Sequence, residues 1–145
     1  MKTVQPIFIV GIGGSAGALN AYKALMDALP HDTGMAYVII SHMNPTAHSQ
    51  LAKILQRHTK MSVTMASEAM PILANHVYII PPNSDLTMEN SRFTVISHSI
   101  PRNKQVDRFF LSLATARGAS AVGIICPGYD GDGSEGCKHL QDCDG

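Results

Sequence analysis

Ile7-Phe8-Ile9-Val10 is followed directly by Gly11-Ile12-Gly13-Gly14-Ser15-Ala16-Gly17 near the start of the chain. The apolar residues 7–10 predict a short buried strand, and we expect the glycine-rich residues after it to form the turn that leads into a helix. That helix is predicted over residues 17–29, because apolar side chains recur there every three or four positions and Pro30 then ends it. A strand, a turn and a helix in this order are typical of the first unit of an α/β fold.

The same alternation of apolar runs and helical patterns continues along the chain of 145 residues, a length that suits one domain. Further strands are predicted over residues 35–41, 62–66, 76–80 and 119–126, helices over 47–58, 105–117 and 133–141, and a small β-hairpin from 86–88 and 93–96. Strands that are almost continuously apolar are buried on both faces. The sequence therefore predicts a doubly wound, mostly parallel sheet with helices on both faces.

The glycine-rich segment fits two functional motifs. Gly11, Gly13 and Ala16 match a dinucleotide-binding fingerprint, whereas Gly13, Ser15 and Gly17 match a nucleophile elbow, which presents a serine hydroxyl at the end of a sheet. Glycines that merely form a tight turn are a third interpretation, and the motif alone leaves all three open. A dinucleotide site, however, needs a carboxylate at the end of the second strand. That strand instead ends in His42.

His42 is the histidine whose position favours catalysis. It is predicted at the carboxyl end of the strand next to that of Ser15, and a serine needs such a base to become a nucleophile. The strand over residues 119–126 runs into a tight turn that contains Asp130 and Asp132. Aspartate is a preferred helix cap, so capping explains one of them, but an acid at this edge could also orient the histidine.

Composition excludes several classes of function. Lys plus Arg and Asp plus Glu number 11 each, and a net charge near zero argues against a nucleic-acid binder, which needs a basic face. No apolar run is long enough for a membrane-spanning helix, and the start of the chain does not resemble a signal peptide. Three cysteines without paired metal spacing are interpreted as free thiols of a cytoplasmic protein, and His139 beside Cys137 and Cys143 is only a weak zinc candidate.

Seven segments together resemble the protein-glutamate methylesterase family, the CheB-type catalytic domain. They are VGIGGSAGAL (10–19), LPHDTGMAY (29–37), SHMNP (41–45), RHT (57–59), HVYIIPPN (76–83), DRFFLSL (107–113) and GYDGDG (128–133). The resemblance covers essentially the whole chain. It is closest to the modules at the N-terminus of bacterial signalling proteins in which a methylesterase and a methyltransferase are fused.

The resemblance implies hydrolysis of glutamate methyl esters on chemotaxis receptors, giving glutamate and methanol, within two-component signal transduction. The family's nucleophile falls on Ser15, its base on His42 and its orienting acid on Asp132. The backbone N–H groups of Ala16 and Tyr129 are the expected oxyanion donors. No metal or cofactor is expected, and the expected partners are a methylated receptor and a methyltransferase module in the same full-length chain.

The chain also departs from the family pattern. Asp130 stands where the family loop has a glycine, and the sequence is expected to lack roughly the last strand and helix of the domain. No receiver domain is expected before Ile7, so control by phosphorylation is not expected within this chain and any regulation is expected to come from elsewhere. Asp130, the unusual Pro127 and the missing C-terminal part favour an alternative in which the module is catalytically silent and binds partner domains. A nucleotide-binding domain that uses residues 11–17 is a less favoured alternative.

Overall fold

The computed structural model describes residues 5–15, 18–42, 45–97 and 105–126. The elements in these ranges are β1 (Ile9–Ser15), α1 (Leu19–Ala28), β2 (Ala36–His42), α2 (Pro45–Gln56), β3 (Ser62–Met65), β4 (His76–Ile79), β5 (Ser84–Glu89), β6 (Arg92–Ser97), α3 (Gln105–Arg117) and β7 (Ala121–Ile125). The helix that the sequence predicts over residues 133–141 lies outside the described residues.

Five strands form one sheet in the order β3-β4-β2-β1-β7, and every neighbouring pair in it is parallel. β5 and β6 form a separate antiparallel hairpin. Its two-residue turn is Asn90-Ser91, and both residues have positive φ, 52° and 61°, as a tight hairpin turn of this length requires. The parallel sheet and the hairpin confirm the predicted fold class.

Helices cover both faces of the sheet. On one face, α1 and α2 bury side chains such as Tyr22, Met26 and Leu55 against Ile12 and Ile39. On the other face, α3 and the hairpin pack against the alternate residues of the same strands, including Ile9, Val38 and Ile40. This alternation is the period of two that a strand imposes, so both sets of side chains are buried.

β1 is the element whose predicted bounds differ most from the observed ones. The sequence predicted a strand over residues 7–10 and a turn after it, whereas the strand spans Ile9–Ser15. Ile7 is 64% exposed and Phe8 is 37% exposed, so the first half of the apolar run lies outside the sheet. Gly11, Gly13 and Gly14 continue the strand because β2 pairs with β1 as far as Ser15, and β7 pairs with it as far as Gly13.

The two helices that flank β2 also differ slightly from their predicted limits. α2 begins at Pro45 rather than residue 47, since proline lacks the N–H that is unused in a first turn and already has a helical φ. α1 ends at Ala28, and Leu29 has extended backbone with ψ of 128°. The residue before a proline avoids the helical region, which explains why the helix stops before Pro30.

Candidate active site

Ser15 and His42 are the last residues of β1 and β2, and they are direct Cα partners in the parallel register. The structure describes the backbone of both residues. Neighbouring strands lie about 4.8 Å apart, so the two residues stand side by side at the carboxyl edge of the sheet. The sequence-based expectation that they share this edge is confirmed, while their chemical roles stay predictions.

β7 borders β1 on the side opposite β2. Gly13 pairs with Ile125, and the Cys126 N–H donates to the Gly13 carbonyl at 2.8 Å. The chain therefore leaves the sheet at Cys126 beside the last two residues of β1. Asp132, Tyr129 and Asp130 follow within a few positions but lie outside the described residues, as does Ala16.

This corner of the sheet is also a topological switch point. α1 covers one face after β1, whereas α3, which precedes β7, covers the other face. β1 is thus flanked by β2, which follows it through α1, and by β7, which follows α3, so the covering helix changes face between β1 and β7. In open α/β sheets, ligands bind in the crevice beyond the carboxyl ends of strands at such a point. Ser15 and His42 lie at the edge where that crevice is expected.

The glycines of β1 let both helix layers approach this strand closely. A Cβ built on Gly13 would lie 2.5 Å from Val106 Cγ1, and one built on Gly11 would lie 2.7 Å from Phe110 Cε1. A Cβ on Gly14 would collide with the Tyr22 hydroxyl on the opposite face. These three positions therefore require a residue without a side chain, because side chains of α1 and α3 occupy the space that a Cβ would need.

The same packing argues against the dinucleotide fingerprint. Its glycines belong to a turn whose backbone N–H groups face a pyrophosphate. Here Gly11 pairs with Val38 and Gly123, and Gly13 pairs with Ile40 and Ile125, within a strand that has neighbours on both sides. The backbone of β1 is thus engaged in the sheet over this stretch, which disfavours the dinucleotide interpretation and leaves the nucleophile-elbow and purely structural interpretations open.

A buried polar contact lies directly beneath the Ser15 and His42 pair. The Tyr22 hydroxyl in α1 donates to Ser41 Oγ in β2 at 3.0 Å, and both residues are 0% exposed. Burial raises the pKa of Tyr22 far above its ordinary value, the bond to Ser41 opposes that rise, and the neighbouring Cys126 adds to it. The phenol therefore stays neutral and remains a donor. Burial likewise raises the pKa of the Cys126 thiol.

Sequence reasoning missed this contact because Tyr22 falls at helical spacing with apolar residues and was counted among them. Two signals could have found it. A buried tyrosine hydroxyl usually has a hydrogen-bond partner. Ser41 is the polar residue that ends the apolar run of β2, so it was the natural candidate for that partner.

No group of three or more His, Cys, Asp or Glu side chains that could hold a metal ion occurs in residues 5–15, 18–42, 45–97 and 105–126. None of the helices within those ranges is long and apolar enough to cross a bilayer. Cys126 is a buried free cysteine, and the zinc candidates Cys137, His139 and Cys143 lie outside these ranges.

The family model and the curated proteins that this chain resembles all carry the designation methylesterase. The family model described as CheB methylesterase matches residues 10–145. A protein-glutamate methylesterase/protein-glutamine glutaminase of Hydrogenovibrio crunogenus is 32% identical over 140 residues, which cover 92% of this chain and 37% of that protein. A protein of Xanthomonas oryzae pv. oryzae with the same designation, numbered 2, is 34% identical over 138 residues and is covered to 38%.

A putative protein of the same designation from Leptospira interrogans is 27% identical over 134 residues, which cover 90% of this chain and 69% of that protein. The chain thus spans little more than a third of two of these relatives and about two thirds of the other. Among solved structures, the CheB methylesterase catalytic domain of Thermotoga maritima superposes with a TM-score of 0.86 at 23% identity, covering 95% of this chain and 76% of that one. This likeness shows that the two chains share a fold.

Proposed function

The chain belongs to the CheB methylesterase family, and from that premise we propose that it hydrolyses glutamate methyl esters on chemotaxis receptors through Ser15, His42 and Asp132. The observation that carries the proposal is the pairing of Ser15 with His42 at the carboxyl ends of adjacent parallel strands. A nucleophile and its base must lie within hydrogen-bond reach, and neighbouring strand ends can bring two side chains that close.

In the proposed first step, Ser15 Oγ attacks the ester carbonyl carbon while His42 takes the hydroxyl proton. The resulting oxyanion is stabilised by the backbone N–H groups of Ala16 and Tyr129, the first of which lies between β1 and the start of α1. The carbon–oxygen bond to the methoxy group then breaks, and His42 returns the proton so that methanol leaves. Asp132 would orient the imidazole and stabilise its charged form.

In the second step, water attacks the acyl-enzyme and His42 accepts a proton from it. The acyl bond to Ser15 breaks, the serine recovers its proton, and glutamate is released. The route uses no metal and no cofactor. A methylated chemotaxis receptor or a related signalling protein is the proposed partner, together with a methyltransferase module in the same full-length chain.

Methanol release from a methylated receptor tests this function. We expect release by the protein as its gene encodes it, and a loss of about 10⁴- to 10⁶-fold in kcat in the Ser15→Ala variant. Ser62→Ala is the matched control, because Ser62 is an exposed serine at the start of β3, on the outermost strand. Release that persists in Ser15→Ala would contradict the assignment of the nucleophile.

Deamidation of glutamine is a second candidate, favoured by the second half of the relatives' designation. The same acyl-enzyme would form, with ammonia rather than methanol as the leaving group. An amide is less reactive than an ester, so we expect deamidation to be the slower reaction. Ammonia release from a receptor that carries the unmodified glutamine, compared with Ser15→Ala, tests it.

Asp130 motivates the catalytically silent alternative. If the silent module is correct, neither methanol nor ammonia is released by the intact protein, although it folds and binds its partners. A variant that restores glycine, Asp130→Gly, then separates a local defect from a lost function. Activity gained by this substitution would show that the aspartate blocks an otherwise competent site.

A further inference from the structure

One buried hydroxyl group, that of Tyr22, contacts both β1 and β2 close to their carboxyl ends. The Tyr22 hydroxyl, on the second turn of α1, donates to Ser41 Oγ on β2 at 3.0 Å. A side chain on Gly14 of β1 would collide with the same hydroxyl, which therefore touches the backbone of β1 as well. One phenol, carried by α1, thus contacts β1 and β2, the two strands that end in Ser15 and His42.

The register of the sheet gives this contact its significance. Gly14 and Ser41 are Cα partners, and the next pair along the two strands is Ser15 and His42. A strand rises about 3.3 Å per residue, so the Tyr22–Ser41 bond lies roughly one residue beneath the proposed nucleophile and base. No other residue separates the bond from that pair along either strand.

Both partners of the Tyr22–Ser41 hydrogen bond are buried, so each depends on the other for its hydrogen bond. Tyr22 and Ser41 are both 0% exposed, so water cannot replace either partner. A buried polar group left without its partner costs about 1–3 kcal/mol, which favours the single arrangement in which the two meet. Buried apolar side chains, including Ile12 and Ile39, pack in the same cluster as Tyr22 and restrict its ring. The phenol is therefore held by packing along its ring and by a hydrogen bond at its tip.

We propose that Tyr22 is a positioning residue, whose bond to Ser41 fixes the spacing between the ends of β1 and β2 and thereby the geometry of Ser15 and His42. The role rests on the proposed function of those two residues. Tyr22 does not touch the substrate. Its contacts with Ser41 and Gly14 fix the positions of these two residues. A substitution of Tyr22 therefore affects the reaction by displacing His42 and Ser15, the next residue of each strand.

The test compares two substitutions that each delete one buried tyrosine hydroxyl. Tyr22→Phe removes the bond beneath the site. Tyr37→Phe removes a hydroxyl that pairs with Thr33 at 2.9 Å, in the same strand β2 but five positions before His42. Tyr37 is 1% exposed, so both variants remove the hydroxyl of a buried tyrosine, although the Tyr37–Thr33 bond itself is partly buried. Steady-state methanol release from a methylated receptor gives kcat and KM for each.

We expect Tyr22→Phe to lower kcat by about 10-fold with KM changed less than about twofold, because displacements of about 1 Å at reacting groups can cost about 10²-fold. Tyr37→Phe is expected to keep kcat within about twofold. Ser41→Ala should reproduce the loss of Tyr22→Phe, and the double variant should be no slower than the slower single variant. Equal kcat values for Tyr22→Phe and Tyr37→Phe would overturn the positioning role.

A measurement independent of activity separates this inference from the proposed function. In ¹⁵N-labelled protein, the backbone amide resonances of Ser15 and His42 should move in Tyr22→Phe and stay in place in Tyr37→Phe. If the wild-type protein releases no methanol, the proposed function fails and the amide resonances decide the positioning role alone. Unchanged resonances of Ser15 and His42 in a folded Tyr22→Phe variant would overturn it.

Discussion

Substitution of Gly13 by alanine is expected to destabilise the fold because α3 packs directly on this glycine. The added Cβ would lie 2.5 Å from Val106 Cγ1, 3.2 Å from Val106 Cγ2 and 3.3 Å from Ile125 Cδ1. Carbon atoms in ordinary contact are about 3.5–4.0 Å apart, so α3 or β1 must move by roughly 1 Å. Val106 is 0% exposed, and a valine in a helix has one strongly preferred rotamer, so it cannot turn aside.

Overpacking of this kind costs about 1–3 kcal/mol. Replacing a glycine inside a strand recovers roughly 0.5–1 kcal/mol of backbone entropy. The expected net loss in the free energy of unfolding is therefore about 1–2 kcal/mol. With an m-value of about 2 kcal/mol per molar urea, the midpoint should fall by about 0.5–1 M. Far-ultraviolet circular dichroism is a suitable probe, since the chain has no tryptophan.

The double variant Gly13→Ala/Val106→Ala is the control that identifies the contact. Val106→Ala alone should cost about 2 kcal/mol through the cavity it leaves. In the double variant, the new methyl group occupies part of that cavity, so the combined loss should be smaller than the sum of the two by at least about 1 kcal/mol. Losses that add to within about 0.5 kcal/mol, or a Gly13→Ala midpoint equal to that of the wild type, would refute the packing explanation.

Three further predictions concern the core and its ionisable groups. Phe110→Ala should cost about 3–5 kcal/mol, because Phe110 is fully buried against Gly11, whereas Leu111→Ala, at a position 39% exposed, should change stability by less than about 0.5 kcal/mol in the same urea titration. Cys126 should resist thiol reagents until the protein unfolds, since burial shields its thiol and raises the pKa of that thiol. The reaction of a Cys137→Ser/Cys143→Ser variant with a disulfide reagent at increasing urea concentrations measures this. Rapid labelling of Cys126 without urea would contradict the expectation. Burial raises the pKa of Tyr78 as well, so its neutral form stabilises the fold fully below the ordinary tyrosine value of 10.0, and that stabilisation is lost as the pH rises through the higher pKa of the folded state. The urea midpoint should accordingly fall above about pH 10, and less steeply in Tyr78→Phe; equal slopes would contradict the assignment.

Much of the architecture could be predicted from local patterns, because the period of apolar residues reports which faces are buried. α3 spans Gln105–Arg117, the range that the pattern predicted. β1 shows where such patterns fail. Glycine normally interrupts regular structure, but Gly11 and Gly13 lie in a strand because β2 and β7 pair with it. Phe110 and Val106, about a hundred positions away in the sequence, occupy the space that side chains at these two positions would need. Local sequence carries no record of such contacts.

In the candidate site, too, some features follow from local sequence patterns and others depend on contacts between distant residues. The shared edge of Ser15 and His42 could be predicted, since the ends of parallel strands meet at one side of a sheet, and the register now makes the two residues direct partners. The Tyr22–Ser41 bond could not be derived from periodicity, because tyrosine counts as apolar in a helical pattern and its partner lies 19 positions away. The chemical roles of Ser15, His42, Asp132, Ala16 and Tyr129 all stay predictions.

The rate of labelling of Ser15 by a fluorophosphonate tests most directly whether this serine is a nucleophile activated by His42. The wild-type protein, Ser15→Ala and His42→Gln are incubated with the reagent, and the modified residue is located by peptide mass spectrometry. We expect modification at Ser15 in the wild type, none at that position in Ser15→Ala, and a rate about 10²- to 10⁴-fold lower in His42→Gln. An unmodified Ser15 in the wild-type protein, or equally fast labelling in His42→Gln, would contradict the pairing of nucleophile and base on which the proposed function depends.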